Sequence, residues 1–169
     1  LTQTAPTRVR VPGPRGRSPT ETPKVSIAWA DGWRAGTVLF FQGEDAARKA
    51  RAFAEATLTR ARRRLRAANA PDFTEPLIEV QGEESHWGAH RAVTGARGVA
   101  LKLAVKHPDP RGAGTILKDS IGLGLATPPG LSIFAASRPK PSPVVRLFSL
   151  LIPKAEVPVT VETPAGETH

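Results

Sequence analysis

The fold is decided by residues 24–69, which read KVSIAWADGWRAGTVLFFQGEDAARKARAFAEATLTRARRRLRAAN. Lys24–Ala30 alternates apolar with polar or small residues, and this period of two favours a β-strand. Asp31-Gly32 then predicts a tight hairpin turn, because both residues tolerate positive φ. Thr37–Phe41 supplies the β-branched and aromatic residues of a returning strand. The stretch therefore begins as a β-hairpin.

A long amphipathic helix is predicted next, from about Asp45 to Asn69. Glu44 and Asp45 place negative charge at its start, where the helix dipole favours it. One side of the helix is apolar and much of the other is basic, at spacings of three and four residues. The apolar side comprises Ala50, Phe53, Ala54, Leu58, Ala61 and Leu65. A hairpin docked on this side would form the folding nucleus.

The rest of the chain predicts further strands at 76–80, 99–106, 131–135 and 144–152, and an edge strand at 157–161. The strand at 99–106 alternates most regularly, with its apolar residues on one face and lysines on the other. The segment 144–152 is apolar at most positions, which predicts a strand buried on both faces.

A second helix is predicted over residues 110–125. Asp109 is placed as its N-cap, and Pro110 suits the first helical position. Four glycines weaken this helix by roughly 1 kcal/mol each relative to alanine.

These elements predict an α+β fold, a two-layer sandwich in which two main helices cover one mixed β-sheet. A length of 169 residues suits one domain. Residues 24–161 would form that domain. Residues 1–23 would be a connector rich in Pro, Gly and Arg with one short strand at Arg8–Val11, and residues 162–169 a disordered tail.

Composition limits the classes of function. The net charge of +9 and the pI of about 11.0 require a nucleic-acid-binding interpretation to be considered. A GC-rich coding sequence explains an Arg-, Ala-, Gly- and Pro-rich chain equally well, and we favour that explanation. Cysteine is absent, which excludes disulfides and thiolate metal sites. No apolar run reaches about 18 residues, so we expect no membrane span and a cytoplasmic location.

The loop from Gln81 to Gly98 has the most unusual chemistry, with Glu83, Glu84, Ser85, His86, Trp87 and His90. A carboxylate and a histidine can share a proton or bind a metal. His86 and Glu84 are therefore the candidate acid–base pair. A metal site is not predicted, because the two histidines lack a fixed spacing and a secure third ligand. The simplest interpretation is a polar loop with Trp87 packed on the core.

Two further patterns carry weaker signals. Gly112-Ala113-Gly114 opens a helix and invites a phosphate-binding interpretation, but no glycine-rich phosphate motif follows it. The arginines at 60, 62, 63, 64 and 66 lack the interleaved aromatic residues of nucleic-acid binders. We interpret them as a solvated helix end.

Several motifs together resemble a known family. They are Gly16–Ser26, Asp31-Gly32-Trp33, Gly43, Ala46–Ala50 and the Ser85–Gly88 loop. From about Arg8 to Val161 the chain is similar to the later half of the acyclic terpene utilisation proteins, AtuA. The segment Ala126–Ser137 departs from that pattern, because relatives carry a glycine-rich stretch there.

The resemblance implies a C-terminal domain or subunit that works with an N-terminal AtuA-like region or a partner subunit. It further implies a place in bacterial catabolism of acyclic terpenoids such as citronellol and geraniol, whose intermediates are branched acyl-CoA thioesters. The reaction and any cofactor stay unknown. No catalytic residue is carried over from the family. If this domain contributes to a site, we expect His86 and Glu84 near the chemistry, with Lys24 or Arg34 as contacts to the anionic acyl-CoA.

Two alternatives remain. In one, the chain is a non-catalytic module for subunit interaction, in a homo- or hetero-oligomer, with the hairpin and the Arg-rich helix as the interface. Exposure of Trp33, Phe40, Phe41 and residues 131–134 would favour it. In the other, the basic face binds nucleic acid, which the absence of tyrosine and of any known motif makes the weakest interpretation.

Overall fold

A computed structural model describes residues 1–13, 15–83, 85, 87–90, 93, 95–134, 137–160, 162 and 164. The chain divides into two compact units. Residues 1–27 and 147–169 belong to the smaller, and residues 28–146 to the larger.

The described residues contain seven strands, two α-helices and two short 3-10 turns, joined by loops. The strands are β1 Thr2–Ala5, β2 Arg8–Arg10, β3 Lys24–Gln42, β4 Glu75–Gln81, β5 Gly98–His107, β6 Leu131–Ser132 and β7 Ser142–Leu151. The helices are α1 Ala46–Ala67 and α2 Pro110–Gly124, and the 3-10 turns are Gly88–His90 and Lys154–Glu156.

One five-stranded sheet organises the larger unit. Its order is β4-β5-β3, with β6 and β7 both pairing with β3. β5 runs antiparallel to β3 and to β4, and β6 runs antiparallel to β3. The succession β3-α1-β4-β5-α2-β7 in this order is a split βαβ arrangement. The predicted α+β two-layer sandwich is confirmed.

The core lies between the two helices and one face of the sheet. Alternate residues of β3 and β5 point into it, because successive strand residues face opposite sides. The pairs Leu39–Leu101 and Thr37–Leu103 lie side by side on this face. The predicted apolar side of α1 is buried, and the Phe41 and Phe53 rings meet at 5.6 Å between centroids. The helix at 45–69 and the strand at 99–106 are confirmed.

The predicted hairpin at Asp31-Gly32 is wrong. Gly32 does adopt positive φ, at 76°, but β3 continues through it. A Cβ at Gly32 would lie 2.9 Å from the His107 carbonyl oxygen, so the glycine serves a close approach of two strands. Trp33 to Gln42 then pairs along the whole of β5, which keeps the chain extended. The Asp-Gly pair correctly indicates a backbone irregularity, since Gly32 has positive φ. Whether the chain turns there depends on its pairing with a distant strand, here β5.

The second helix follows its predicted start closely. The Asp109 side chain accepts a hydrogen bond from the Arg111 backbone N–H at 2.7 Å, as an N-cap does. The hydrogen bond from the Arg111 side chain holds the pKa of Asp109 below its usual value, and the same contact raises the pKa of Arg111.

The smaller unit contains the β1–β2 hairpin, which pairs Thr2 with Arg10 and Gln3 with Val9. This confirms the predicted strand near residue 8. Backbone hydrogen bonds also join Ile152 to Pro23 and Lys154 to Glu21. None of its described residues is buried.

The predicted burial of 144–152 on both faces is wrong, although the strand exists as β7. Val145, Leu147, Phe148 and Leu151 are all exposed. An apolar run typifies central strands of sheets covered on both sides. β7 instead pairs with β3 at an edge of the sheet.

The predicted edge strand at 157–161 does not form over its described residues 157–160. Pro158 removes one of the backbone donors that such a strand needs.

Candidate functional site

The main cavity is an apolar cleft of about 640 Å³ in the larger unit. The floor is provided by Thr37 and Leu39 of β3, and one wall by α2. The other wall comes from described residues between β6 and β7, which we call the connector: Ile133, Ser137, Arg138, Pro139, Lys140 and Pro141.

The α2 wall follows from helical spacing. Gly114, Leu117, Lys118 and Ile121 lie three and four positions apart, which places them on one side of the helix. Gly114 leaves room where it faces the connector, since a Cβ there would lie 3.5 Å from Pro141 Cγ. The apolar lining is open to a ligand on both walls, because Ile121 of α2 and Ile133 on the opposite wall are each about half exposed.

Three exposed cations line the otherwise mostly apolar cleft: Lys118, Arg138 and Lys140. Thr37, Pro139 and Lys140 also line a shallower trough of about 440 Å³, whose other residues include Arg34, Gly36 and Lys102. An amphipathic ligand suits this arrangement, with apolar atoms inside the cleft and negative charge toward its cations.

The two predicted anion contacts belong to different units of the chain. Arg34 lies on β3 in the larger unit and donates from Nε to Ser142 Oγ at 3.3 Å. It lines the trough together with Lys102 and Lys140. Lys24 is exposed at the start of β3, in the smaller unit.

The candidate acid–base pair, Glu84 and His86, lies outside the described residues. Their neighbour Glu83 accepts hydrogen bonds from Arg51 of α1. Glu83 also lines a hollow of about 440 Å³ with Asp45 and Arg48, apart from the main cleft. Trp87 is 63% exposed, so the expectation that it packs on the core is wrong.

The arginine cluster of α1 is largely occupied by ion pairs. Arg60 and Arg64 donate to Oδ1 of Asp119 on α2, at 3.0 and 2.8 Å. Asp119 is 1% exposed, so these bonds join the two helices across a desolvated carboxylate. Arg62 pairs with Asp72. The interpretation as a merely solvated helix end is wrong for these three arginines.

A second charge cluster joins the four strands β3, β4, β5 and β7. Asp31 contacts Lys106 and Arg146, and both cations also contact Glu75. The hydrogen bond from Lys106 lowers the pKa of Asp31, and the positive charge of Arg146 acts in the same direction. The cluster is internally paired, which suits a structural role.

The structure supports neither a phosphate site at Gly112–Gly114 nor, among the described residues, a metal site. Gly112 packs against the His107 ring, so it serves packing between β5 and α2. Among the described residues, no group of three or more His, Asp or Glu side chains comes together to bind a metal. Over the same residues, neither helix is both long and apolar enough to cross a bilayer.

Sequence reasoning missed the cleft because its walls come from elements distant in sequence. The sequence of α2 did contain a signal for the cleft wall. Its helical spacing places on one side of the helix Gly114, Leu117, Lys118 and Ile121. Proline and lysine at 139–141 carry no periodic pattern that would mark them as part of a cavity wall.

Comparison with protein families identifies the chain. The model of the acyclic terpene utilisation family protein AtuA matches residues 1–163. The chain therefore belongs to the AtuA family, which links it to acyclic terpene utilisation at the level of the family. Neither the comparison with curated proteins nor that with solved structures gives a match.

Proposed function

We propose that this AtuA family chain binds a branched acyl-CoA of acyclic terpenoid catabolism, as a C-terminal domain or subunit of an AtuA-like protein. The acyl chain would occupy the cleft between β3 and α2. The phosphates of CoA would lie toward Lys118, Arg138 and Lys140. The observation that carries the proposal is the combination of an apolar interior with cations at one cavity.

The size of the cleft fits this ligand class. Small-molecule sites generally enclose about 300–1,000 Å³, and the cleft encloses about 640 Å³. Each buried methylene contributes about 0.8 kcal/mol to the free energy of binding. A branched chain of terpenoid length can therefore gain much of its affinity from the apolar lining.

The positive charge of the chain also favours an anionic ligand such as an acyl-CoA. A net charge of +9 attracts anions from solution, and the cations beside the cleft would direct them to it. Lys140 lines both the cleft and the trough that contains Arg34. A long anionic head group would pass Lys140 and extend toward Arg34. Lys24 stays a further proposed contact.

The proposed chemistry rests on the loop that follows β4. We place His86 and Glu84 as its acid–base pair, because an unperturbed histidine titrates near neutral pH. In an assembly with the activity of the family, His86→Ala should lower turnover far more than stability. Equal loss of both would contradict the role.

Calorimetric titration of the chain tests ligand binding directly. Citronellyl-CoA should bind more tightly than CoA alone and more tightly than citronellic acid, because only the thioester uses both the cleft and the cations. Its affinity should fall as salt is raised. Equal affinity for CoA and citronellyl-CoA would contradict the acyl-chain site, and lack of binding would contradict the proposal as a whole.

The subunit-interaction alternative also has a specific observation in its favour. Phe41 is buried and Trp33 packs on the core, but Phe40 and Phe134 are exposed. The exposed aromatic residues are those that an assembly surface would use.

A further inference from the structure

A second pocket lies between α1 and the end of α2, and we call it the side pocket. It encloses about 520 Å³. Four of its residues are spaced so that they share one side of α1: Lys49, Ala52, Phe53 and Ala56. Arg48, Leu123 of α2 and residues 126–128 complete the lining. None of these residues lines the cleft between β3 and α2, so the side pocket is a separate cavity.

The turn that follows α2, residues 126–130, is held in place beside α1, and we call it the proline turn. The Gln42 backbone N–H donates to the Gly130 carbonyl oxygen at 2.9 Å. Gly130 has a φ of 111°, and a Cβ there would collide with the Gln42 carbonyl oxygen. Pro128 and Pro129 fix their own φ angles. This wall of the side pocket is therefore formed before any ligand arrives.

Lys49 brings a positive charge to the side pocket. Its Nζ donates to the carbonyl oxygens of Gln42 and Pro129, at 3.0 Å each. An ammonium group has three N–H donors, so one is left over. In the part of the chain that the structure describes, no carboxylate forms an ion pair with Lys49. Arg48 is already paired with Asp45. Lys49 is therefore the cation that an anionic ligand in this pocket would meet.

Thr127 of the proline turn supplies a second donor. Its Oγ1 is buried and has no hydrogen-bond partner among the described residues. Rotation of χ1 to another staggered position moves the hydroxyl away from its buried position, and this rotation breaks no hydrogen bond. An acceptor in the side pocket, which Thr127 lines, would give the hydroxyl the partner that it lacks.

We propose that the side pocket binds a carboxylic acid with a short aliphatic chain. One carboxylate oxygen accepts the remaining N–H of Lys49, and the other accepts the Thr127 hydroxyl. The aliphatic chain lies against Ala52, Ala56 and Leu123, whose apolar side chains line the pocket. A single negative charge suits the single unpaired cation. The site is independent of the acyl-CoA site proposed above, because the two share no lining residue.

Methyl NMR of the chain labelled at Ala, Ile, Leu and Thr, titrated with octanoate, tests this inference. The methyl groups of Ala52, Ala56 and Leu123 should shift and saturate, with a dissociation constant of about 1 mM or below. Octylammonium has the same chain with the opposite charge, so Lys49 should repel it and these signals should not move. Ile121 reports on the cleft separately. Octanoate shifts confined to the cleft, or none at about 10 mM ligand, would overturn the proposal. So would equal shifts with octylammonium.

Filling the side pocket should abolish this binding. Ala52 and Ala56 are exposed, so Ala52→Phe and Ala56→Phe can occupy the pocket without entering the core. Each should weaken octanoate about tenfold or more. Ala67→Phe is the matched control, because Ala67 is exposed on the same helix outside the pocket lining, and it should leave affinity unchanged. Circular dichroism shows that each variant has kept its fold. Equal affinity in the folded filled variants and the control would overturn the site.

Thr127→Val separates a binding role from a structural one. It keeps the shape of the side chain and removes the hydroxyl, so octanoate should bind about tenfold more weakly. Thermal stability of the free chain should not fall, because the buried hydroxyl has no partner to lose. Unchanged octanoate affinity, or a loss of stability without a loss of affinity, would overturn the placement of the carboxylate at Thr127.

Discussion

Gly112 lies directly against the imidazole ring of His107. A Cβ at Gly112 would be 2.1 Å from the ring Cε1. The ring is held from both sides, because Nδ1 accepts from the Asp109 backbone N–H and Nε2 contacts the Pro71 carbonyl oxygen at 3.0 Å. The end of β5, the start of α2 and the segment after α1 are joined through this one side chain.

Gly112→Ala should therefore destabilise the chain by about 1–3 kcal/mol, the usual cost of overpacking a core. Alanine normally stabilises a helix relative to glycine by up to about 1 kcal/mol. The matched control is Gly122→Ala in the same helix, where an added Cβ meets nothing within 4 Å. Chemical denaturation should give the two variants opposite signs. A stabilised Gly112→Ala variant would show that the ring can move.

Asp119→Ala should lower the free energy of unfolding by about 1–2 kcal/mol. It removes charge-assisted hydrogen bonds from Arg60 and Arg64, whose side chains are half exposed and therefore partly screened. Arg48→Ala breaks an exposed pair with Asp45 and should change stability by less than about 0.5 kcal/mol. Denaturant melts of both variants make the comparison. Equal losses of stability in the two variants would mean that burial of Asp119 does not strengthen its ion pairs.

The Asp31 cluster predicts a component of acid sensitivity. The pKa of Asp31 is lowered in the folded chain, so this carboxylate takes up a proton at higher pH in the unfolded chain than in the folded one. The stabilisation is therefore fully present above the unfolded pKa of about 3.9 and is lost as pH falls through the lower folded value. Asp31→Asn should flatten the dependence of stability on pH below about 4. An unchanged slope in acid melts would contradict this.

Ile121→Arg should weaken binding of citronellyl-CoA by tenfold or more, about 1.4 kcal/mol, because a charge would replace apolar lining. Leu125→Arg adds the same charge to the same helix outside the cleft lining and should leave affinity nearly unchanged. Titration calorimetry gives both values. A loss of equal size in the two variants would indicate a general electrostatic effect.

Lys140→Ala should weaken binding of citronellyl-CoA and reduce its dependence on salt, because one cation beside the phosphates is lost. Binding of citronellic acid should change less, since it has one negative charge. Titrations at two salt concentrations separate these effects. An unchanged salt dependence would place the phosphates away from Lys140.

Local patterns predicted much of this fold. The apolar spacing of α1, the alternation of β5 and the Asp109 cap each depend on near neighbours, and each was confirmed. The errors at Asp31-Gly32 and in β7 have a common cause. Whether a strand turns, and whether its side chains are buried, depends on the strands and helices that pack beside it.

The candidate site was less predictable for the same reason. Ile121 of α2 and Lys140 of the connector are separated in sequence and line one cavity together with Thr37 and Leu39 of β3. Arg60 and Arg64 read as solvent-facing because their partner, Asp119, comes from another helix. The family resemblance rested on motifs such as Asp31-Gly32-Trp33 and Ala46–Ala50, and none of those residues lines the cleft.

Methyl NMR of the chain labelled at Ile, Leu and Val, titrated with citronellyl-CoA, tests the central claim most directly. Saturable shifts should appear at Ile121, Ile133 and Leu117, which line the cleft. Leu77 of β4 and Leu125 at the end of α2 line neither the cleft nor the trough, and they should stay unperturbed. Shifts confined to residues outside the cleft and the trough, or none at saturating ligand, would contradict an acyl-CoA site between β3 and α2.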